Sequence, residues 1–131
     1  PVITPTPHRT TMPILKLLTN LPKNQIPKDF VTKIVPILSR TVNKPPSKFT
    51  CIVSSDCCLS VGGDDSKPGA VASLESIGNL GVDANKVITK EISDFVEREL
   101  GIEQDRFILT FYDLLPYNVS KGGITMDLEK K

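Results

Sequence analysis

The sequence has no tryptophan, a single histidine and three cysteines, and each scarcity removes a class of chemistry. His8 lies in the Pro/Thr-rich opening PVITPTPHRTTM, apart from any plausible core, so no Ser-His-Asp or Cys-His relay is expected in the folded body. Cys51, Cys57 and Cys58 form no CxxC pair and supply too few ligands for a structural zinc site, so reduced thiols and no metal are expected. Cys51 sits in strand-like alternation and reads as a core residue; the adjacent Cys57 and Cys58 read either as structural or as redox-sensitive thiols. An excess of one charge is also missing. Sixteen Lys and Arg face fifteen Asp and Glu, and no basic block interleaves with aromatics, which argues against a nucleic-acid partner. No apolar run approaches the ~18 residues that span a bilayer, so no membrane partner is expected. The opening segment also lacks the apolar stretch of a secretory signal peptide, which makes cytoplasmic synthesis the expectation. Gly62-Gly63 is followed by Asp64-Asp65, whose carboxylates repel an anion, and it reads as a turn rather than a phosphate loop.

What is present suits one ordinary domain: 131 residues, 39% hydrophobic and 24% charged. Residues 1–12 carry little that could join a core and are expected to be a disordered lead segment, with the fold occupying 13–131. Ile14 to Thr19 reads as a largely buried strand. Asp29 then caps or charges a helix with apolar positions Phe30, Ile34, Ile37, Leu38 and Val42, which Pro36 should kink or shift and Lys44-Pro45-Pro46 should end. Phe49 to Val53 reads as a strand, followed by a short extended piece at Leu59 to Val61. Ala70 to Ile77 reads as a third main strand. Asp83 to Leu100 has Val87, Ile88, Ile92, Phe95, Val96 and Leu100 on one helical face and stops at Gly101. Arg106 to Tyr112 is a further strand, and a short hairpin through Asn118-Val119 and Ile124 to Met126 precedes a charged tail.

The two halves repeat as strand, loop, helix, then a charged residue followed by Phe, in Lys48-Phe49-Thr50 and Arg106-Phe107-Ile108. The expected class is α+β, with two βαβ units forming a four-stranded sheet and both helices on one face. Strands one and three look too apolar to face water, so other subunits are expected to cover the opposite face.

Read in order, several segments resemble the macrophage migration inhibitory factor and D-dopachrome tautomerase family. These are Pro13-Ile14 with Thr19-Asn20-Leu21-Pro22, Asn43-Lys44-Pro45-Pro46, Gly62-Gly63, Ser73-Leu74-Glu75-Ser76-Ile77-Gly78, Asp105-Arg106 and Tyr112-Asp113. The Asn-Leu-Pro loop and Gly-Ile-Thr-Met at 123–126 lean toward the D-dopachrome tautomerase branch. The resemblance implies a homotrimer whose sheets form an inner barrel wrapped by helices, with sites at subunit interfaces. It implies a cofactor-free keto–enol tautomerase acting on a small aromatic 2-keto acid or a dopachrome-like substrate. It also allows a cytokine-like protein that binds a cell-surface receptor and is secreted without a signal peptide, with the pocket vestigial.

In the tautomerase reading the matching base is Pro13. A free prolyl amine titrates near ~7.7–8.0 before perturbation, and burial beside a cation disfavours its charged form. Lys44 is the matching cation, placed to hold a carboxylate or to oppose enolate charge; its other reading is a solvated lysine after a helix. Ser76 and Ile77 match the pocket floor, and Ile108, Phe111 and Val119 match apolar pocket positions across the interface; strand and core packing account for all five equally well. The family's CxxC falls at Gly69 and Ala72, so its thiol chemistry does not transfer. Ile108, Thr110 and Lys121 replace a tyrosine, an asparagine and a tryptophan, which alters the substrate pocket. Met12 precedes Pro13. The expectation is translation from Met12 with removal of the methionine; the alternative is a retained extension, which makes Pro13 an internal amide without a basic lone pair and abolishes catalysis.

Overall fold

One local plan is used twice. In the computed structural model, which describes residues 12–128, strand β1 (Ile14–Thr19) leads through helix α1 (Phe30–Val42) to β2 (Thr50–Ser54). Strand β3 (Ala70–Ser76) leads through α2 (Val82–Leu100) to β4 (Phe107–Asp113). Each unit pairs its strands in parallel, and β1 pairs with β3 antiparallel, giving the order β2-β1-β3-β4. This is the α+β, double βαβ arrangement that the repeat predicts. Apart from Met12, the expected lead segment lies outside the described residues, as does the end of the charged tail.

Both helices cover one face of the sheet. Phe30, Ile34, Leu38 and Val42 of α1 share a buried cluster with Ile88, Ile92, Phe95 and Val96 of α2 and with Leu15, Leu17, Ala72 and Leu74 of the strands. The helices run antiparallel, with Phe30 and Phe95 rings 5.2 Å apart; Lys33 pairs with Glu99 at 3.3 Å and Arg40 with Glu91 at 3.1 Å. Those ion pairs are exposed and contribute little beside the apolar contact.

Several local expectations need correction. Asp29 precedes α1 but makes no side-chain cap; its carboxylate instead lies 3.5 Å from Lys33 Nζ. Pro36 sits inside α1 without delaying its start, because Pro36 and Thr32 are both on the exposed side and water can satisfy the Thr32 carbonyl that Pro36 cannot. β2 begins at Thr50, since Phe49 closes a 3₁₀ turn at Pro46–Lys48. The piece around Val61 is one bridge to Asp64 about Gly62-Gly63. A 3₁₀ turn takes up Pro116–Asn118, so the terminal hairpin is β5 (Ser120–Lys121) with β6 (Ile124–Thr125) about Gly122-Gly123. Both glycine pairs have positive φ, 59° and 81° in the first and 66° and 84° in the second, the conformation a two-residue hairpin turn demands.

The face opposite the helices is mixed rather than uniformly apolar. Burial along β3 alternates residue by residue, which turns Val71, Ser73 and Glu75 outward beside Ile14, Lys16 and Leu18 of β1. Lys16 Nζ lies 3.5 Å from Glu75 Oε2. Leu18, Ile52 and Ile108 remain 46%, 54% and 50% exposed on the same face.

A buried arginine joins the second unit to the loop that precedes it. Arg106 donates to the carbonyls of Pro68 (2.9 Å), Val61 (3.2 Å), Asp64 (2.9 Å) and Lys67 (3.0 Å). Thr19 Oγ1 donates to the Gly69 carbonyl at 2.7 Å, and Asn20 brackets the same stretch through Lys67 O and Gly69 N–H, each at 2.9 Å. Arg106→Met removes the donor from four part-buried carbonyls and a buried cation from its partners, and is expected to lower the unfolding free energy by about 3 kcal/mol. Urea denaturation checks this, and a loss below about 1 kcal/mol would show that the loop does not depend on the guanidinium.

Candidate functional site

The antiparallel β1–β3 pairing decides which residues meet. Pro13 stands at the entry to β1, so its strand neighbour on one side is the exit of β3, where Ile14 pairs with Glu75; one more step sets Pro13 opposite Ser76. On the other side β2 is parallel to β1, and the Pro13 carbonyl accepts from Thr50 N–H at 3.0 Å. The segment entering β2 carries Lys44. β4 is parallel to β3, so its exit reaches this end too, with Leu114 N–H donating to the Ser76 carbonyl at 2.8 Å. Pro13, Lys44, Ser76 and Ile77 are all buried at this end of the sheet.

Lys44 owes its place to the way α1 stops. Asn43 takes a left-handed conformation (φ 61°), which turns the chain out of the helix. The Lys44 N–H then donates to the Ser39 carbonyl at 3.1 Å, and Ser39 Oγ donates back to the Lys44 carbonyl. Lys44 is only 4% exposed, and burial pushes its amine below the usual lysine range. A cation that has lost much of its hydration gains more from an incoming anion than a fully solvated lysine does.

The β3 exit is a tight polar turn. Ser76 Oγ donates to the Gly78 carbonyl at 2.8 Å, so that hydroxyl proton is engaged in the turn. Gly78 N–H donates to Asp113 Oδ1 at 3.0 Å. Asn79 Nδ2 donates to the carbonyls of Val42 at 2.8 Å and Asn43 at 3.3 Å, linking this turn to the end of α1. Sequence reading missed Ser39, Asn79 and Asp113. The signal was there in part, because Gly-Asn-Leu-Gly after a strand marks a turn, and Asn79 is left-handed (φ 62°).

The remaining expected residues divide. Val119 is half-buried in the segment that leaves β4 at this end, its carbonyl accepting from Met126 N–H at 2.8 Å. Phe111 sits opposite Leu74 and packs on the core under the helices. Ile108 is on the other face, opposite Val71 near the far end of β4, so one chain does not bring it to Pro13. Among the described residues, a groove of about 940 Å³ lies at that far end, lined in part by Lys23, Lys28, Phe30 and Val53; it contains none of the site residues.

Cys51 follows Thr50 in β2 and pairs with Leu15 of β1, whereas Cys57 lies past the exit of β2, its N–H donating to the Thr19 carbonyl at 2.9 Å. Cys51 is half-buried against the core, as expected, and burial pushes its thiol up to about 11. Cys57 is half-buried, with Sγ 3.5 Å from the Ser54 carbonyl, and Cys58 is exposed; all three are free thiols.

Comparison with known proteins shows the family. The family described as macrophage migration inhibitory factor matches residues 12–127. The chain is 33% identical over 115 residues to the MIF-like protein mif-2 of Caenorhabditis elegans, covering 88% of this chain and 95% of that protein. It is 32% identical over 116 residues to the D-dopachrome decarboxylase of Xenopus tropicalis, covering 88% and 98%. The solved macrophage migration inhibitory factor of Trichinella spiralis superposes with a TM-score of 0.82 at 28% identity, covering 86% of this chain and 98% of that one. Near-equal identity to proteins of both names does not separate the two branches.

Iodoacetamide at pH 8 is expected to modify Cys58 first. With its thiol at about 11, Cys51 is only about one part in a thousand thiolate at that pH, and its labelling should rise about tenfold per pH unit until the thiol titrates. Peptide mass spectrometry reads the order, and equal rates for Cys51 and Cys58 at pH 8 would contradict it.

Proposed function

Because the chain belongs to the macrophage migration inhibitory factor family, we propose that it is a keto–enol tautomerase whose base is the amine of Pro13 once that residue is the N-terminus. The observation that carries this reading is the meeting of Pro13, a buried Lys44 and the Ser76–Ile77 strand end at one end of the sheet. The substrate class is a small aryl 2-keto acid or a dopachrome-like carboxylate. The uncharged secondary amine takes the proton α to the carbonyl and becomes an ammonium, while the electron pair of the broken C–H bond forms the C=C bond and the carbonyl π pair moves onto oxygen. The ammonium then returns the proton to that oxygen, giving the enol, and the reverse sequence gives the ketone. Lys44 holds the substrate carboxylate or opposes the enolate charge, and Ile77 forms the floor.

The site is proposed to be completed by assembly as a homotrimer. Ile108 and Thr110 are exposed on the outward face, and that face keeps Leu18 and Ile52 uncovered in a single chain. A neighbouring copy would cover these residues and receive Ile108 as a wall of its own pocket. In the same reading the short β5–β6 hairpin gains a partner; a two-stranded hairpin is marginal alone. Cytokine-like binding of a cell-surface receptor is the second activity that family membership supports, and it is favoured if Pro13 stays amide-linked to Met12, since a tertiary amide has no basic lone pair.

Three outcomes test these readings. Chain beginning at Pro13 should tautomerise phenylpyruvate, whereas chain with residue 12 and its predecessors attached should fall by at least about 100-fold in kcat. Equal turnover would remove Pro13 as the base. Lys44→Ala should raise KM for phenylpyruvate about tenfold with a smaller change in kcat; a change confined to kcat would assign Lys44 to the transition state alone. Light scattering should return the mass of a trimer, and Ile52→Lys on the outward face should shift it toward the monomer. A wild-type monomer at micromolar concentration would refute the assembly.

A further inference from the structure

We infer that Asn79 is a positioning residue of the Lys44 site: its side-chain amide locks the Val42–Asn43–Lys44 turn to the strand end carrying Ile77, and so sets where Lys44 meets a substrate carboxylate. The inference rests on the reading of Lys44 given above and adds a residue that is not itself required to touch the substrate. Its basis is the bridge between two loops that come from different βαβ units. Asn79 Nδ2 donates to the Val42 carbonyl at 2.8 Å and to the Asn43 carbonyl at 3.3 Å. These acceptors lie at the end of α1, where carbonyls lack helical partners and carry the negative end of the helix dipole. Lys44 is the next residue.

The arm that reaches them is itself anchored. Gly78, just before Asn79, is held by Asp113 Oδ1 at 3.0 Å through its N–H and by Ser76 Oγ at 2.8 Å through its carbonyl. Asn79 adopts φ 62°, a conformation asparagine and glycine tolerate best. Ser39 fixes the Lys44 backbone to its own helix, whereas Asn79 fixes that helix end to the strand end. The aim of Lys44 at a ligand lying on Ile77 depends on the second tie. The chemistry requires a donor, because both partners are carbonyl oxygens; a carboxylate here would meet them as a third acceptor and repel.

The test uses the full chain and two probes with the same aryl group, cinnamate with a carboxylate and methyl cinnamate without a charge. Calorimetric Kd values are measured for wild type, Asn79→Gly and Lys44→Ala. Asn79→Gly keeps the left-handed backbone and deletes the amide. It is expected to weaken cinnamate about five- to tenfold while methyl cinnamate changes less than about twofold. Should the glycine variant fail to fold, Asn79→Asp removes the donor with the same shape and is expected to show the same split. Lys44→Ala weakening cinnamate while both Asn79 variants bind like wild type would overturn the role of Asn79 alone. Equal weakening of the two probes would reveal general loosening and overturn positioning. No effect of Lys44→Ala, or no cinnamate binding by wild type, would overturn the Lys44 reading on which the inference stands.

Discussion

The antiparallel pairing of β1 with β3 is the constraint on which the rest of the structure depends. It sets Ile14 against Glu75 at one end and Thr19 against Ala70 at the other. Each βαβ unit is internally parallel, so this single junction delivers the entry of β1, the entry of β2, the exit of β3 and the exit of β4 to the same end of the sheet. Had the two units joined in parallel, Pro13 would stand beside the start of β3, far from Ser76 and Ile77. The junction is also protected against slippage. A shift of one residue would expose Leu15 and Leu17 and turn Ile14, Lys16 and Leu18 inward, which puts a cation into the core.

Lys44 shows two opposing electrostatic effects at that end of the sheet. The end of a helix attracts a cation through its unpaired carbonyls, whereas burial penalises the charge. Here burial dominates, since the amine sits below the usual lysine range. The carbonyls at the end of α1 are also engaged: Val42 and Asn43 accept from Asn79, and the Lys44 carbonyl accepts from Ser39. The backbone of Lys44 is thus fixed by the end of α1, and in the tautomerase reading an anionic substrate would favour the charged form of its amine.

What could be read in the sequence was what is local. β1 runs over the predicted residues, and the apolar faces of α1 and α2 follow from spacing that a helix makes contiguous, except that Val87 of α2, expected on that face, is exposed. The outward face was misjudged because the runs Ile14–Thr19 and Ala70–Ile77 look apolar as strings, while their alternation sends Lys16, Ser73 and Glu75 to one side. Pro36 was overrated as a breaker because its cost depends on whether water reaches the orphaned carbonyl, which only the exposed side of α1 reveals. Ser39, Asn79 and Asp113 could not be read as a group: Ser39 closes the end of its own helix, Asp113 reaches Gly78 beside the β3–β4 pair, and Asn79 spans the two units that the β1–β3 junction brings together. For Ser39 and Asn79 the acceptors are backbone atoms, which carry no sequence signature.

Ile108 and Phe111 carry the argument one step further. They are three positions apart on a strand, and a period of two must send them to opposite faces. Phe111 packs half-buried on the core under the helices, whereas Ile108 faces outward and lies about 17 Å along β4 from the end that meets Ser76. Its own Pro13 is out of reach. In the trimer reading the same parity becomes useful: the row Leu18–Val71–Ile108 is the apolar part of the outward face, and the row Ile14–Glu75–Tyr112 lies at the Pro13 end. A neighbour that covers the first row with its own Pro13 end excludes water from both. Under the proposed assembly, substrate shape would be set by Ile108 of one copy against Lys44 and Ile77 of the next, and changes at the far end of β4 would alter selectivity without touching the proposed base.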